Sequence, residues 1–225
     1  MSLLEKVKSR GYWEVVIRPT KFVEQRVSNA DELREIVRAR RVGISGRDFP
    51  MIGDPEWMTD HIEQEVDFLL YVETWRLYLS GQFIYLGGLP VDWDEQNRPS
   101  GSHLRLVQRP GQILGVADTV RFLTQVFEFA ARLGMSKVGG DRMYVAVSIH
   151  GLAGRRLFLG LQGLAQPPQA LVEGPGTVHK DGEFSSQQLV AESKSLPLGW
   201  AQVVFRRFGW EAPLQFLGEI QSELP

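Results

Sequence analysis

Two charged residues stand inside the most apolar part of this sequence. Residues 65–89 read EVDFLLYVETWRLYLSGQFIYLGGL, the densest block of apolar and aromatic residues in the chain, and Glu73 and Arg76 lie within it. A carboxylate or a guanidinium group among such neighbours costs free energy unless it is paired. The two charges therefore indicate either an ion pair that fixes the packing of the core or a pocket that holds a polar ligand.

The local secondary structure decides whether these two residues can pair with each other. Residues three apart are neighbours on a helix, whereas on a strand they point to opposite faces. The apolar spacing in the first half of the block fits one side of a helix, so we predict a helix up to about Phe68 and a strand from about Leu70. Residues 76–89 predict a hairpin, with the Ser80-Gly81 pair at its turn.

Three further charged residues extend this set of candidates. Arg18 closes a predicted strand, and Arg47 and Asp48 lie in a short predicted strand and turn at residues 42–50. An enzyme, or a protein that binds a nucleotide or anion, would bring such residues together in one concave pocket. The candidate ligand-binding residues are Arg18, Arg47, Asp48, Glu73 and Arg76.

Residues 12–19 read YWEVVIRP and predict a strand with two distinct faces. One face carries Trp13, Val15 and Ile17, and the other carries Tyr12, Glu14, Val16 and Arg18. Glu14 and Arg18 share the second face, so an ion pair between them is the simplest explanation of both charges.

The spacing of the histidines gives little indication of a metal or catalytic site. His61 and Glu65 are four apart and would share a helix face, but a metal site needs a third ligand and no HExxH pattern is present. His150 shares a strand face with Ser148, and no nucleophilic arrangement is evident around it. The sequence predicts neither a metal nor a cofactor.

Arginines cluster at two places. Arg38, Arg40 and Arg41 crowd the last turn of a predicted helix at residues 28–41, where cations favour the negative helix end. Together with Arg155 and Arg156 they would form a nucleic-acid surface if both clusters shared one face. The net charge of −2 disfavours this function, since such proteins normally carry a basic excess.

The composition is that of a folded globular chain. The 225 residues suit one domain, 43% of them are hydrophobic, and six Trp and twelve Phe supply bulk for a large core. Cysteine is absent, which excludes disulfides and thiolate sites and fits a reducing cytoplasm. No apolar run is long enough to span a membrane and no signal peptide is evident, so we predict a cytoplasmic protein that does not associate with membranes.

The remaining patterns predict an α+β fold in one domain spanning residues 1–225. Six to eight strands form a mostly antiparallel sheet, and a long central helix at about residues 114–133 packs on it together with C-terminal helices at 197–208 and 213–224. Residues 142–150 are the clearest strand, with 155–159 as their hairpin partner. Residues 160–183 predict a loop with a short edge strand at 170–172. Further strands are predicted at 104–107 and 187–196.

Several strings carry a resemblance that covers nearly the whole chain. They are GYWEVVIRP, GRDFP, ETWRLYLSGQF, VFEFAARL, IHGLAGR and FRRFGW. In these strings the chain resembles a group of bacterial proteins associated with Schlafen-like AlbA-type genes, which supports a single domain. The carboxylate-containing motif of the AlbA-type domain is not found here. The resemblance therefore implies neither nucleotide binding nor any catalytic residue.

The absence of a specific catalytic signature favours a non-catalytic cytoplasmic module that binds a protein partner or senses a ligand. Trp57, Trp93 and Trp210 lie in or near predicted loops and could line a contact surface. This hypothesis predicts an exposed apolar patch or a two-fold interface, as in a homo-dimer. The ligand pocket and the nucleic-acid surface are the second and third hypotheses.

Overall fold

A computed structural model describes residues 1–93, 110–159, 172 and 176–224. The helices in this part of the chain are α1 (Leu3–Lys8), α2 (Ala30–Arg40), α3 (Val116–Gly134), α4 (Ser186–Glu192), α5 (Ser195–Arg206) and α6 (Leu214–Ser222), with a 3-10 turn at Pro90–Asp92. The strands are β1 (Tyr12–Pro19), β2 (Val42–Ile44), β3 (Arg47–Phe49), β4 (Glu56–Trp57), β5 (His61–Phe68), β6 (Tyr71–Tyr78), β7 (Phe83–Gly88), β8 (Ile113–Gly115), β9 (Arg142–His150), β10 (Arg156–Phe158) and β11 (Val178–Ser185).

Seven strands form one antiparallel sheet in the order β11-β9-β1-β7-β6-β5-β4. Strands β4 to β7 are a meander of consecutive neighbours, and β1 joins this meander to the β9–β11 pair. Two small ladders lie beside the sheet, the β2–β3 hairpin and a parallel pairing of β8 with β10. The predicted α+β class, with a mostly antiparallel sheet and packed helices, is confirmed.

The main core lies between one face of the sheet and the helices α2 to α6. On β1 this face carries Trp13, Val15 and Ile17, as the alternation of the sequence predicts, and all three side chains are buried. Trp13 stacks on Phe122 of α3 at 4.6 Å between ring centroids, and Phe83 of β7 meets Phe129 at 4.8 Å. Fourteen of the nineteen residues of α3 are buried, so the helix is enclosed on several sides and forms the centre of the core.

The strongest sequence patterns appear in the structure close to their predicted bounds. They are the strand at 12–19, the hairpin at 76–89, the strand at 142–150 and the helices at 114–133, 197–208 and 213–224. The predicted strand at 104–107 lies outside the described residues, as does the one at 170–172 except for Val172.

The predicted helix before Phe68 is wrong, because this segment is the strand β5. It pairs with β6 over eight residues in register, from His61 opposite Tyr78 to Phe68 opposite Tyr71. A two-residue turn at Leu69 and Leu70 joins the strands, and Leu69 has a φ of 55°. The hydrogen bonds offered by the neighbouring strand outweigh the helical spacing of apolar residues, which is a weak signal over so short a segment.

Three later predictions are also wrong. Residues 155–159 are not the hairpin partner of β9, since β1 and β11 occupy both of its edges and β10 pairs with β8 instead. The predicted loop at 160–183 contains the first part of β11. Residues 186–192 form a helix rather than a strand, because the Ser185 hydroxyl accepts a hydrogen bond from the amide of Gln188 at 3.0 Å and caps its first turn.

Candidate functional site

Glu73 is the buried charge that the sequence singles out, and protein groups surround it. Its Oε1 accepts a hydrogen bond from the Met51 amide at 2.9 Å, and its Oε2 accepts from the Tyr85 hydroxyl at 3.1 Å and from Nη2 of Arg47 at 3.4 Å. Only 1% of the residue is exposed. Burial raises the pKa of Glu73 above its ordinary value despite the nearby guanidinium, and burial also raises the pKa of Tyr85 well above 10.0.

Local sequence explains how these groups reach Glu73. Glu73 lies opposite Gly87 in the β6–β7 pairing, and a Cβ at Gly87 would come within 2.1 Å of the Tyr85 hydroxyl. The missing side chain therefore leaves the space that the Tyr85 phenol occupies. Arg47 reaches the carboxylate from the β2–β3 hairpin, and its guanidinium also lies over the Tyr71 ring at 4.7 Å.

Two further hydrogen bonds fix the hairpin on the sheet. Trp75 donates its indole N–H to the Met51 carbonyl at 2.8 Å, and the side-chain amide of Gln125 donates to the Arg47 carbonyl at 2.8 Å. The Glu73 cluster, defined as Arg47, Glu73 and Tyr85, thus joins the 47–51 segment to β6 and β7, and the Gln125 hydrogen bond joins the segment to α3. This is the arrangement of a structural anchor.

The space beside Arg47 is small. A cavity of about 20 Å³ lies between Arg47, Trp13, Leu114 and Phe122. Sites for small molecules usually enclose about 300–1,000 Å³. This cavity has room for about one water molecule, so the geometry gives no support to a ligand pocket there.

The other predicted site residues contact different partners. Arg18 lies over the Tyr144 ring at 4.6 Å, Asp48 pairs with Arg41 at 3.1 Å, and Arg76 donates from Nε to Glu63 at 2.9 Å. Arg76 and Glu73 lie on opposite faces of β6, as the strand geometry requires. Of the five predicted residues, these contacts bring together only Arg47 and Glu73.

A second buried ion pair escaped the sequence analysis. Arg155 and Asp92 are each 1% exposed and form a bidentate pair, so placing Arg155 in a surface cluster for nucleic acid was wrong. Arg155 also donates to the carbonyls of Gly151 and Ile113, while Asp92 accepts from the amides of Gly11 and Gly111. The sequence offers only one hint, a glycine at position 11, where a Cβ would lie 2.3 Å from the Arg155 guanidinium.

The described residues cover the face of the sheet opposite the main core far less completely. Among the described residues, α1 is the helix that packs on it, and it covers one end where Val7, Val72 and Trp93 form a small cluster. The strand registers place the side chains of six strands in rows across the rest of this surface, which we call the open face. Its middle row is Asp181, Ala146, Val16, Ile84, Arg76 and Glu63.

The rows on either side of this middle row are more polar. One consists of Glu183, Tyr144, Arg18, Gln82, Tyr78 and His61. The other consists of His179, Ser148, Glu14, Leu86, Thr74 and Glu65. The open face therefore has an apolar centre formed by Val16, Ile84 and Ala146, and a rim that carries charges of both signs. Leu86, in the neighbouring row, packs against the small cluster under α1.

The charges on the open face have local partners. Glu14 does not pair with Arg18 as predicted; its carboxylate lies 3.1 Å from Nε2 of His150, whose ring stacks on Tyr12. Ser148 and Nδ1 of His179 are 2.8 Å apart, and Asp181 lies 3.7 Å from the other ring nitrogen. His179 and Asp181 are about half exposed, and their separation of 3.7 Å is longer than a hydrogen bond. These groups do not amount to the geometry of a hydrolase.

The three predicted contact tryptophans have different environments. Trp57 is 41% exposed, whereas Trp93 is only 3% exposed and packs under Arg10 and Lys6, so the prediction that it lines a surface is wrong. Trp210 is half-buried against Phe205 and Phe216. The tryptophans do not mark one common surface.

Neither a metal site nor a bilayer-spanning helix is found in the described part of the chain. Residues 1–93, 110–159, 172 and 176–224 contain no group of three or more His, Asp or Glu side chains arranged to hold an ion. No helix in the same residues is long and apolar enough to cross a bilayer. Comparisons of the chain with family models, with curated proteins and with solved structures gave no match.

Proposed function

We propose that this protein is a non-catalytic interaction module and that the open face of its sheet binds a protein partner. The observation that carries the proposal is the asymmetry of the sheet. Five helices and the largest side chains cover one face, while the other keeps an apolar centre inside a charged rim. Protein interfaces commonly have this anatomy, with an apolar middle and a polar border.

Apolar side chains that adjoin one another on an outer sheet face are more informative than scattered ones. Antiparallel sheets with one wet face alternate apolar and polar residues along each strand. On the open face, Val16 of β1 lies between Ile84 of β7 and Ala146 of β9 in register, so three apolar side chains adjoin at its middle. Their contiguity favours a contact surface over a solvated one.

The contacts of the charged residues support a non-catalytic role. Glu73 and Asp92, both buried carboxylates, accept hydrogen bonds from neighbouring amides and side chains. The cavity beside Arg47 is smaller than a substrate site. These features favour binding through a surface over chemistry at the Glu73 cluster.

The proposal is tested with two matched variants. Val16→Lys places a charge at the centre of the open face, and Val190→Lys makes the same change on α4, where the valine is 52% exposed. Tagged wild type and both variants are incubated with extract of the organism that encodes the chain, and the retained proteins are quantified. We expect a protein retained by wild type and Val190→Lys to be lost with Val16→Lys, while all three keep their melting temperature.

The ligand-pocket hypothesis predicts instead that a small molecule binds at Arg47. Wild type and Arg47→Ala are screened by thermal shift with nucleotides, divalent metals and small anions, since a ligand that binds the folded state raises the melting temperature. A shift seen in wild type and absent in a folded Arg47→Ala variant, together with retention that does not depend on Val16, would overturn the interaction proposal.

A further inference from the structure

We propose that the occupant of the open face is a second copy of this chain, in a dimer whose two sheets pack face to face about a two-fold axis at Val16. This inference rests on the proposed function and names its partner. It follows from the order of charges along β1, from the neighbours of Val16 in register, and from the size of the uncovered area.

The charge pattern of β1 is complementary to itself. Glu14 and Arg18 lie on the open face at equal distances on either side of Val16. A two-fold axis between the sheets, close to perpendicular to β1 and passing over Val16, reverses the strand direction in the second copy. Each Arg18 then faces Glu14 of the other copy, so one symmetry operation forms two charge pairs, as an isologous interface requires.

The same two-fold rotation also brings the strands on either side of β1 onto their own copies. Val16, Ile84 and Ala146 each lie in the row that meets its own copy, which forms a continuous apolar contact along the axis.

Two features could oppose this packing. Arg76 and Asp181 lie in the middle row, two strands from Val16, so the operation brings each towards its own copy. A crossing angle of about 30° between packed sheets tilts the axis by about 15° from this row and separates the two copies of each charge by about 5 Å. Arg76 is also neutralised by Glu63. Helix α1 lies over the row that contains Tyr12. The two-fold rotation places this row beyond Arg18 of the second copy, where the β1 strand of that copy ends at Pro19.

The uncovered area suits a dimer of moderate affinity. Six strands spaced about 4.8 Å apart and three rows of about 6.8 Å give at most about 600 Å² of sheet surface per copy, since α1 covers part of the row of Leu86 and Thr74. The two copies together would bury at most about 1,200 Å², the lower edge of the range for stable specific interfaces. We therefore expect a dimer that dissociates on dilution.

Sedimentation and charge reversal test the inference. The purified full chain should approach twice its 25.5 kDa mass at high concentration and dissociate as it is diluted. Glu14→Arg places Arg against Arg18 of the other copy, and Arg18→Glu places Glu against Glu14, so each variant alone should weaken dimerisation roughly tenfold or more. An equal mixture of the two variants should regain the wild-type affinity, because each chain then supplies the charge that the other lacks.

The control is Glu211→Arg, which makes the same charge change at an exposed position near α5 and should leave dimerisation unchanged. Melting temperatures confirm that each variant is folded. A monomeric wild type at every concentration, or a failure of the mixed variants to restore the dimer, would overturn the inference. Either result leaves the proposed function separately testable, since retention of a different protein that depends on Val16 would still support it.

Discussion

The two buried carboxylates of this protein occupy equally enclosed positions and differ in how completely they are satisfied. Asp92 and Glu73 are each 1% exposed. Asp92 accepts hydrogen bonds from two amides and from two nitrogens of Arg155. Glu73 accepts from one amide, one phenol and a single guanidinium nitrogen at 3.4 Å. We therefore expect the two carboxylates to contribute unequally to the free energy of unfolding. The geometry of the surrounding donors matters more for this contribution than the presence of a countercharge.

The two clusters also connect different parts of the chain. The Asp92–Arg155 pair joins segments near residues 11, 92, 111 and 155, which lie far apart in sequence. The Glu73 cluster attaches one short hairpin to two adjacent strands. Loss of the first should therefore loosen the fold as a whole, whereas loss of the second should act mainly on the 47–51 segment.

The largest effect is expected for Asp92→Ala. The substitution leaves Arg155 charged and buried without its partner and removes the acceptor of two amides, so we expect a loss of about 3–5 kcal/mol in the free energy of unfolding. Urea denaturation measures this loss. Asp181→Ala, at a position about half exposed, is the control and should change stability by less than about 0.5 kcal/mol. A loss below about 1 kcal/mol for Asp92→Ala would refute this view of the pair.

Gly11→Ala probes the same pair without changing a charge. The new Cβ would lie 2.3 Å from Arg155 Nη2 and 2.7 Å from Leu89 Cδ1, so the side chains must shift at a cost of about 1–3 kcal/mol. Gly199→Ala is the matched control, since no atom lies within 4 Å of its added Cβ and the position is inside α5. That control should stabilise the protein by about 0.5–1 kcal/mol. Equal effects of the two substitutions in thermal unfolding would contradict the steric argument.

Tyr85→Phe weakens the Glu73 cluster by one hydrogen bond. The phenol is fully buried and donates to Glu73, so its removal should cost about 1–2 kcal/mol and raise the pKa of the carboxyl further. Chemical denaturation measures the cost, which should be smaller than that of Asp92→Ala. A cost larger than that of Asp92→Ala would contradict the expectation that the Asp92–Arg155 pair contributes more to stability than the Glu73 cluster.

The last prediction concerns how the free energy of unfolding changes with pH. Because burial raises the pKa of Glu73 above 4.5, the folded state retains this proton to a higher pH than the unfolded chain. The resulting stability is fully present below pH 4.5 and is lost as the pH rises through the raised pKa. We therefore expect wild type to lose stability relative to Glu73→Gln as the pH rises through this window. All other titrating groups are common to the two proteins, so their contributions cancel in the difference between the two curves of stability against pH. Parallel curves would disprove the raised pKa of Glu73.

The sequence by itself determined the elements whose patterns are long or strictly alternating. The two faces of residues 12–18, the hairpin of β6 and β7, and the helix α3 all follow from periodicity that a single segment contains. The antiparallel α+β class follows in turn from the number and order of these elements. The sequence also identified Glu73 as a charge within the core, because few polar residues surround it along the chain.

Tertiary structure decided the points at which distant segments compete. Residues 61–68 are a strand because β6 supplies hydrogen-bond partners, and β10 leaves β9 because other strands occupy both edges of β9. The partner of Glu73 is Arg47, 26 residues away, and Arg155 is buried by Asp92, 63 residues away. The open face exists because α2 to α6 all pack on the opposite side of the sheet. Local sequence cannot specify such pairings, since their free energy arises only when remote segments meet.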